Sequence, residues 1–107
     1  MKSNKKMLEI IVLIRGAGEM ASGVAHRLHQ AHFKICMLEV PHPLAVRREV
    51  SFCEAVYDGE KEVEGVRAKL ISTPEEIASV WKKGKIPLLI DPDGNKTRKF
   101  LTPDVLI

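Results

Sequence analysis

The stretch from Ile10 to Val24, Ile-Ile-Val-Leu-Ile-Arg-Gly-Ala-Gly-Glu-Met-Ala-Ser-Gly-Val, constrains the fold of this chain more than any other. Five consecutive apolar residues, then Arg15, lead into Gly16-x-Gly18-x-x-Ala21 and on into apolar residues at helical spacing. That order reads as a buried parallel strand, a tight turn and a helix. Gly16 lets the backbone turn sharply out of the strand, Gly18 lets a phosphate approach main-chain atoms without meeting a β-carbon, and Ala21 allows close helix packing. The unpaired amides at the helix start then face the anion.

A second strand, Lys34-Ile-Cys-Met-Leu-Glu-Val40, follows the helix and carries an acid near its end. Glu39 lies 21 residues after Gly18, close to the spacing of about 20 expected of a carboxylate that grips a ribose diol. The plainer alternative is that the glycines only make a turn and Glu39 is a solvated strand end. The expected fold is α/β, a Rossmann-like three-layer arrangement with a mainly parallel sheet of about five strands in the order 3-2-1-4-5.

The remaining segments are read in chain order. Residues 1–8 form a basic lead-in expected to be disordered, and residues 9–107 a single domain. The first strand spans about 9–14 and the first helix about 18–31, with Ala21, Val24, Ala25 and Leu28 inward and Ser22, His26 and Gln30 outward. His26, His29 and His32 have no acidic or cysteine partner at metal-ligand spacing and read as a solvated flank. After Pro41-His42-Pro43, residues 44–57 suit a helix, with Arg47 and Arg48 near its start. The two arginines either clamp a phosphate or carboxylate or form a charged helix face. An arginine near Glu39 would accommodate a 2′-phosphate, whereas the acid itself favours an unphosphorylated ribose.

Residues 60–64 read as exposed and acidic, and 66–71 as a third strand at the sheet edge. Ser72 or Thr73, Pro74, Glu75 and Glu76 open a helix that ends near Lys82–Gly84 with Trp81 inward. Residues 86–90 are a fourth strand, and Asp91-Pro-Asp-Gly94 its exit turn. Asp91, at the carboxyl end of that strand, either faces the same crevice as the glycine turn or starts the turn. The calcium-loop pattern beginning at Asp91 fails, with Lys96 at position six and Thr102 at position twelve. Residues 94–97 fail as a P-loop for lack of a placed glycine and of any signalled helix. The sequence stops at Pro103–Ile107, which resembles the start of a buried strand and makes the chain read as the front of a longer protein.

Charge and composition exclude several classes. The net charge of +3, from 17 basic and 14 acidic residues, is matched by Lys2, Lys5 and Lys6 alone, so the body is near neutral and nucleic acid is not an expected partner. No apolar run approaches the roughly 18 residues of a membrane helix and no signal peptide is evident, which reads as a cytoplasmic protein. Cys36 and Cys53 lie in no metal or disulfide pattern, and Cys36 reads as a small buried apolar side chain.

The run from Leu13 to Ala25, Arg47-Arg48-Glu-Val-Ser-Phe-Cys-Glu-Ala-Val-Tyr57 and Glu64-Gly-Val66 together resemble the N-terminal part of the accessory proteins of selenium-dependent molybdenum hydroxylase systems. These are distantly similar to xanthine dehydrogenase accessory factors. The resemblance spans residues 12–107, and the chain ends where the family continues. It implies a helper in making or inserting a molybdenum or selenium centre, with a molybdenum hydroxylase as a partner; separately, the unpaired terminal strand makes a homo-oligomer a further expectation. Candidate binding residues are Arg15, Gly16, Ala17, Gly18, Glu19 and Met20 around the turn, with Glu39, Arg47, Arg48 and Asp91. The expected ligand is NAD(P) or another adenine nucleotide, with a molybdopterin-type ligand as the other candidate. The competing reading is a nicotinamide-dependent oxidoreductase fragment lacking its catalytic domain.

Overall fold

The computed structural model describes residues 10–45 and 47–107; the basic lead-in lies outside them. The chain is an α/β protein with one six-stranded, mostly parallel sheet in the order β3-β4-β5-β2-β1-β6. The elements are β1 (Ile11–Arg15), α1 (Glu19–Gln30), β2 (Lys34–Glu39), α2 (Ala55–Asp58), β3 (Glu60–Val63), β4 (Val66–Ile71), α3 (Ile77–Lys82), β5 (Ile86–Ile90), α4 (Asn95–Phe100) and β6 (Val105–Leu106). Strands β1, β2 and β5 carry continuous apolar runs because helices cover both faces of the sheet, whereas β4 alternates, with Arg67 and Lys69 between Val66, Ala68 and Leu70. Only β3 runs antiparallel, against β4.

The strand order corrects the expected 3-2-1-4-5. The strand read as third, β4, does not pair with β2, because β5 stands between them. Given that order, crossover geometry fixes the sides on which the helices lie. The β1–α1–β2 and β4–α3–β5 connections travel in opposite directions along the sheet, so two right-handed crossovers must put α1 and α3 on opposite faces. Two separate apolar clusters follow from this. Val12, Ile14, Ile35 and Met37 pack with Ala25 and Phe52 on the α1 face, while Leu13, Cys36, Leu38 and Leu89 pack with Ile77 and Val80 on the α3 face.

Other segments also depart from the sequence reading. Residues 60–63 form the edge strand, joined to β4 through Glu64 and Gly65, whose φ values of 48° and 86° suit a two-residue hairpin loop. The edge is charged: Arg67 of β4 pairs with Glu60 at 3.2 Å and Glu62 at 2.8 Å. Residues 44–57 do not make one helix. They form short 3-10 turns at Arg48–Val50 and Phe52–Glu54 and then the single turn α2, because Phe52 and Cys53 are drawn fully into the core. A short helix, α4, does follow Gly94. The last strand is a half-exposed edge beside β1 rather than a buried strand.

In α1, Ser22 is buried and Val24 is 39% exposed, the reverse of the expected faces. The helix before β5 opens as drawn from the sequence: Glu76 accepts the Ser72 and Thr73 amides at 2.9 and 3.0 Å, which holds its carboxyl below the usual range. Among the described residues no helix is long and apolar enough to cross a membrane.

Candidate functional site

Because β1, β2 and β5 are parallel, their carboxyl ends meet at one edge. The chain leaves β2 toward the α1 face, where Phe52 and Ala55 pack, and leaves β5 toward the α3 face, where Leu101 packs. Connections that diverge to opposite faces leave a crevice between the two strand ends. Here that crevice is a cleft of about 270 Å³ lined by Arg15, Gly16, Leu38, Glu39, Val40, Pro92 and Asp93.

The glycine turn forms the floor. Gly16 has φ +92°, a left-handed conformation that glycine adopts without strain, and its amide donates to Leu38 O at 2.6 Å. Glu39 is 9% exposed and reaches back into the turn. Its Oε1 accepts the Ala17 amide at 2.7 Å and its Oε2 accepts the amide of Val40 at 2.9 Å. Each carboxylate oxygen keeps a further lone pair for a ligand. Gly18 is the N-cap of α1 with no side-chain cap, and a β-carbon at Gly18 meets nothing within 4 Å. That side of the turn is open, so the first-turn amides after Gly18 are available to an anion.

Ser22 is a functional-edge residue that the sequence reading placed on the wrong face. Its hydroxyl donates to Ala17 O at 2.9 Å and accepts the Phe52 amide at 2.8 Å, while the Cys53 amide donates to Ala17 O at 2.8 Å. The segment after β2 is thereby stitched to the glycine turn. No periodicity signals this role; the local hint is only that Ser22 lies one helical turn after Gly18. Among the cleft residues, Leu38 and Val40 of the β2 end and Pro92 and Asp93 of the β5 exit turn were not among the sequence candidates.

The remaining candidates fall elsewhere. Glu19 lines a groove on the other side of α1 with His26 and Glu64, and Met20 is 85% exposed. Arg47 and Arg48 do not line the cleft and sit not on an α-helix but at the start of the 3-10 turn Arg48–Val50. Arg48 pairs with Glu54 at 3.3 Å and lines a separate cleft with Leu44 and Tyr57, so the expected anion clamp is not assembled at the glycine turn. Asp91 is buried, and its Oδ2 accepts both the amide and the hydroxyl of Thr97 at 2.9 Å. Its carboxylate is committed to starting α4.

His26 and His29 are not a solvated flank. Their Nε2 atoms donate to Glu64 O at 3.2 Å and Gly84 O at 3.0 Å, tying α1 to both neighbouring loops. Cys36 and Cys53 are free and buried. Burial, and then the charge of Asp91, push the Cys36 thiol up to about 12; burial, and then Glu39 and Glu54, raise that of Cys53. Neither is a ready nucleophile. Among the described residues no group of three or more His, Cys, Asp or Glu side chains is placed to hold a metal ion.

Comparison with known proteins gives one relative of note. The chain is 50% identical over 82 residues, 77% of its length, to the uncharacterized protein YqeB of Escherichia coli (strain K12). No family model matches the chain, and no solved structure matches it. The chain spans about 15% of the length of the relative it matches.

Proposed function

We propose that this chain is a nucleotide- or cofactor-binding module with a Rossmann-like glycine turn, acting as an accessory factor in the maturation of selenium-dependent molybdenum hydroxylases. The observation that carries the binding part is the Glu39 carboxylate, held 2.7 Å from the Ala17 amide at the mouth of a crevice between diverging strand connections. A ribose diol donating to Glu39 puts its phosphate near the amides that follow Gly18. The Ala17 amide is already engaged, so the anion takes those of Gly18, Glu19 and Met20. Two acids, Glu39 and Asp93, line the cleft against one cation, Arg15, a balance that favours an unphosphorylated ribose over a 2′-phosphate.

The maturation role rests on the family resemblance of the Arg-Gly-Ala-Gly and Arg-Arg-x-Val-Ser-Phe segments. A molybdenum hydroxylase is the corresponding partner, and a molybdopterin-type phosphate is the alternative ligand.

A thermal-shift and calorimetric screen against NAD, NADP, ATP, AMP, CTP and FAD tests the binding reading, since a ligand selective for the folded state raises its stability by about 2.7 kcal/mol at a hundredfold excess over Kd. The expected result is a shift with NAD or another adenine nucleotide that Gly18→Val abolishes. Gly18 has an ordinary negative φ of −71° and space for a side chain, so this variant is expected to fold. A variant that binds as tightly as the parent would overturn the phosphate role of the turn. Reduction of a bound nicotinamide by a supplied substrate would instead favour the oxidoreductase reading.

A further inference from the structure

We propose that the edge of the sheet opposite the glycine turn carries a second ligand site, for a small organic anion with a planar apolar body. The site is a cleft of about 290 Å³ where α1 and α3 both end and β2 begins, lined by His29, His32, Phe33, Lys34, Ile35, Trp81, Gly84 and Lys85. Its composition is one-sided. Two lysines and two histidines converge on it over a floor of Phe33, Ile35 and Trp81, and among the described residues no Asp or Glu lines it.

The groups are held rather than loose. Trp81 Nε1 donates to Ile35 O at 2.9 Å, which fixes the indole plane. Lys34 Nζ sits 5.5 Å from the centroid of that ring, a cation–π distance, and pairs with no carboxylate among the described residues. His29 spans the cleft from α1 to Gly84 O and sets its width. His32 stands at the rim with φ +72°, its amide donating to His29 O at 2.9 Å. Lys85 is partly neutralised by Glu60 at 3.2 Å, so Lys34 supplies the charge left uncompensated among the described residues, with the His32 imidazole as a further hydrogen-bonding group.

Basic residues near helix ends ordinarily offset the negative pole of the helix. That role needs no concave arrangement and no aromatic floor. A phosphate or carboxylate on a flat body satisfies both halves of the cleft, by a charge-assisted hydrogen bond to Lys34, a hydrogen bond to His32 and apolar contact with the floor.

Trp81 is the sole tryptophan and lies in this cleft, so its emission reports here and not on the glycine turn. The two sites are separated by the length of β2, about 17 Å. Phenyl phosphate, inorganic phosphate and benzyl alcohol are titrated into the whole chain at matched ionic strength, with excitation selective for tryptophan. The expected result is a saturable change with phenyl phosphate, a weaker one with inorganic phosphate and none with neutral benzyl alcohol. Lys34→Met and His32→Gly each weaken the phenyl phosphate response roughly tenfold. The glycine variant also relieves the left-handed backbone at that position and therefore keeps the fold. Gly18→Val leaves the response unchanged. Absence of a saturable change, or an isotherm that both cleft variants leave unaltered, overturns the proposal.

Discussion

Glu39 ends an otherwise apolar strand, yet it is nearly buried and both of its oxygens accept backbone amides. Hydrogen bonds to an ionised acceptor are about twice as strong as neutral ones, so the carboxylate braces the glycine turn before any ligand arrives. Glu39→Gln keeps the shape but turns one acceptor into a donor and orphans either the Ala17 or the Val40 amide. The expected cost is about 1–3 kcal/mol, read by urea denaturation. A change within about 0.5 kcal/mol would mean that Glu39 behaves as an ordinary surface position. Gly16, Gly18 and Glu39 were legible in the sequence because their types and spacing are fixed by backbone conformation and reach. Ser22 was not, because a short polar side chain buried on a helix by two hydrogen-bond partners leaves no periodic trace; Asp91 was legible as a strand end, and of its two expected roles the structure gives it the one of starting the turn.

At the scale of elements, β1, β2 and β5 could be read because their apolar runs are long enough to demand two covering layers, and β4 because Val66-Arg-Ala-Lys-Leu-Ile71 alternates before turning apolar. The order among them was not legible, since it depends on the direction of each crossover and on which helix face meets which side of the sheet. β3 escaped notice because Glu-Lys-Glu-Val has the charged character that protects a sheet edge. The segment between β2 and β3 misled because its helical spacing is overridden by burial of Phe52 and Cys53 against α1. Ser22 is the tie between these elements, so Ser22→Ala removes the acceptor of the buried Phe52 amide. A loss of about 1–3 kcal/mol is expected, only partly offset by the better helix propensity of alanine. Hydrogen exchange at Phe52 and Cys53 should accelerate more than exchange in β1. Equal acceleration everywhere would show that Ser22 does not hold this segment in particular.

The sheet of the whole molecule separates two buried thiols as it separates two clefts: Cys36 faces the α3 layer and Cys53 the α1 layer. Their burial couples global stability to alkaline pH. The Cys36 thiol stands at about 12 in the folded chain against an ordinary 9.0, so above pH 9 the unfolded state gives up a proton that the folded state retains. The unfolded state then binds fewer protons, and stability falls as pH rises through that window. The slope for one fully effective thiol is about 1.4 kcal/mol per pH unit, and Cys53, whose value is also raised, adds in the same direction. Below pH 9 neither thiol contributes any pH dependence. Denaturation midpoints of the parent and of Cys36→Ala at pH 8, 9.5 and 10.5 isolate the effect, because every other side chain is common to both proteins. The alanine variant is expected to be less stable than the parent at pH 8, from the small cavity left among Leu13, Leu38 and Leu89, and to close that gap as pH rises. Parallel curves across the three pH values would mean that solvent reaches the thiol and that the α3 layer does not seal this side of the sheet.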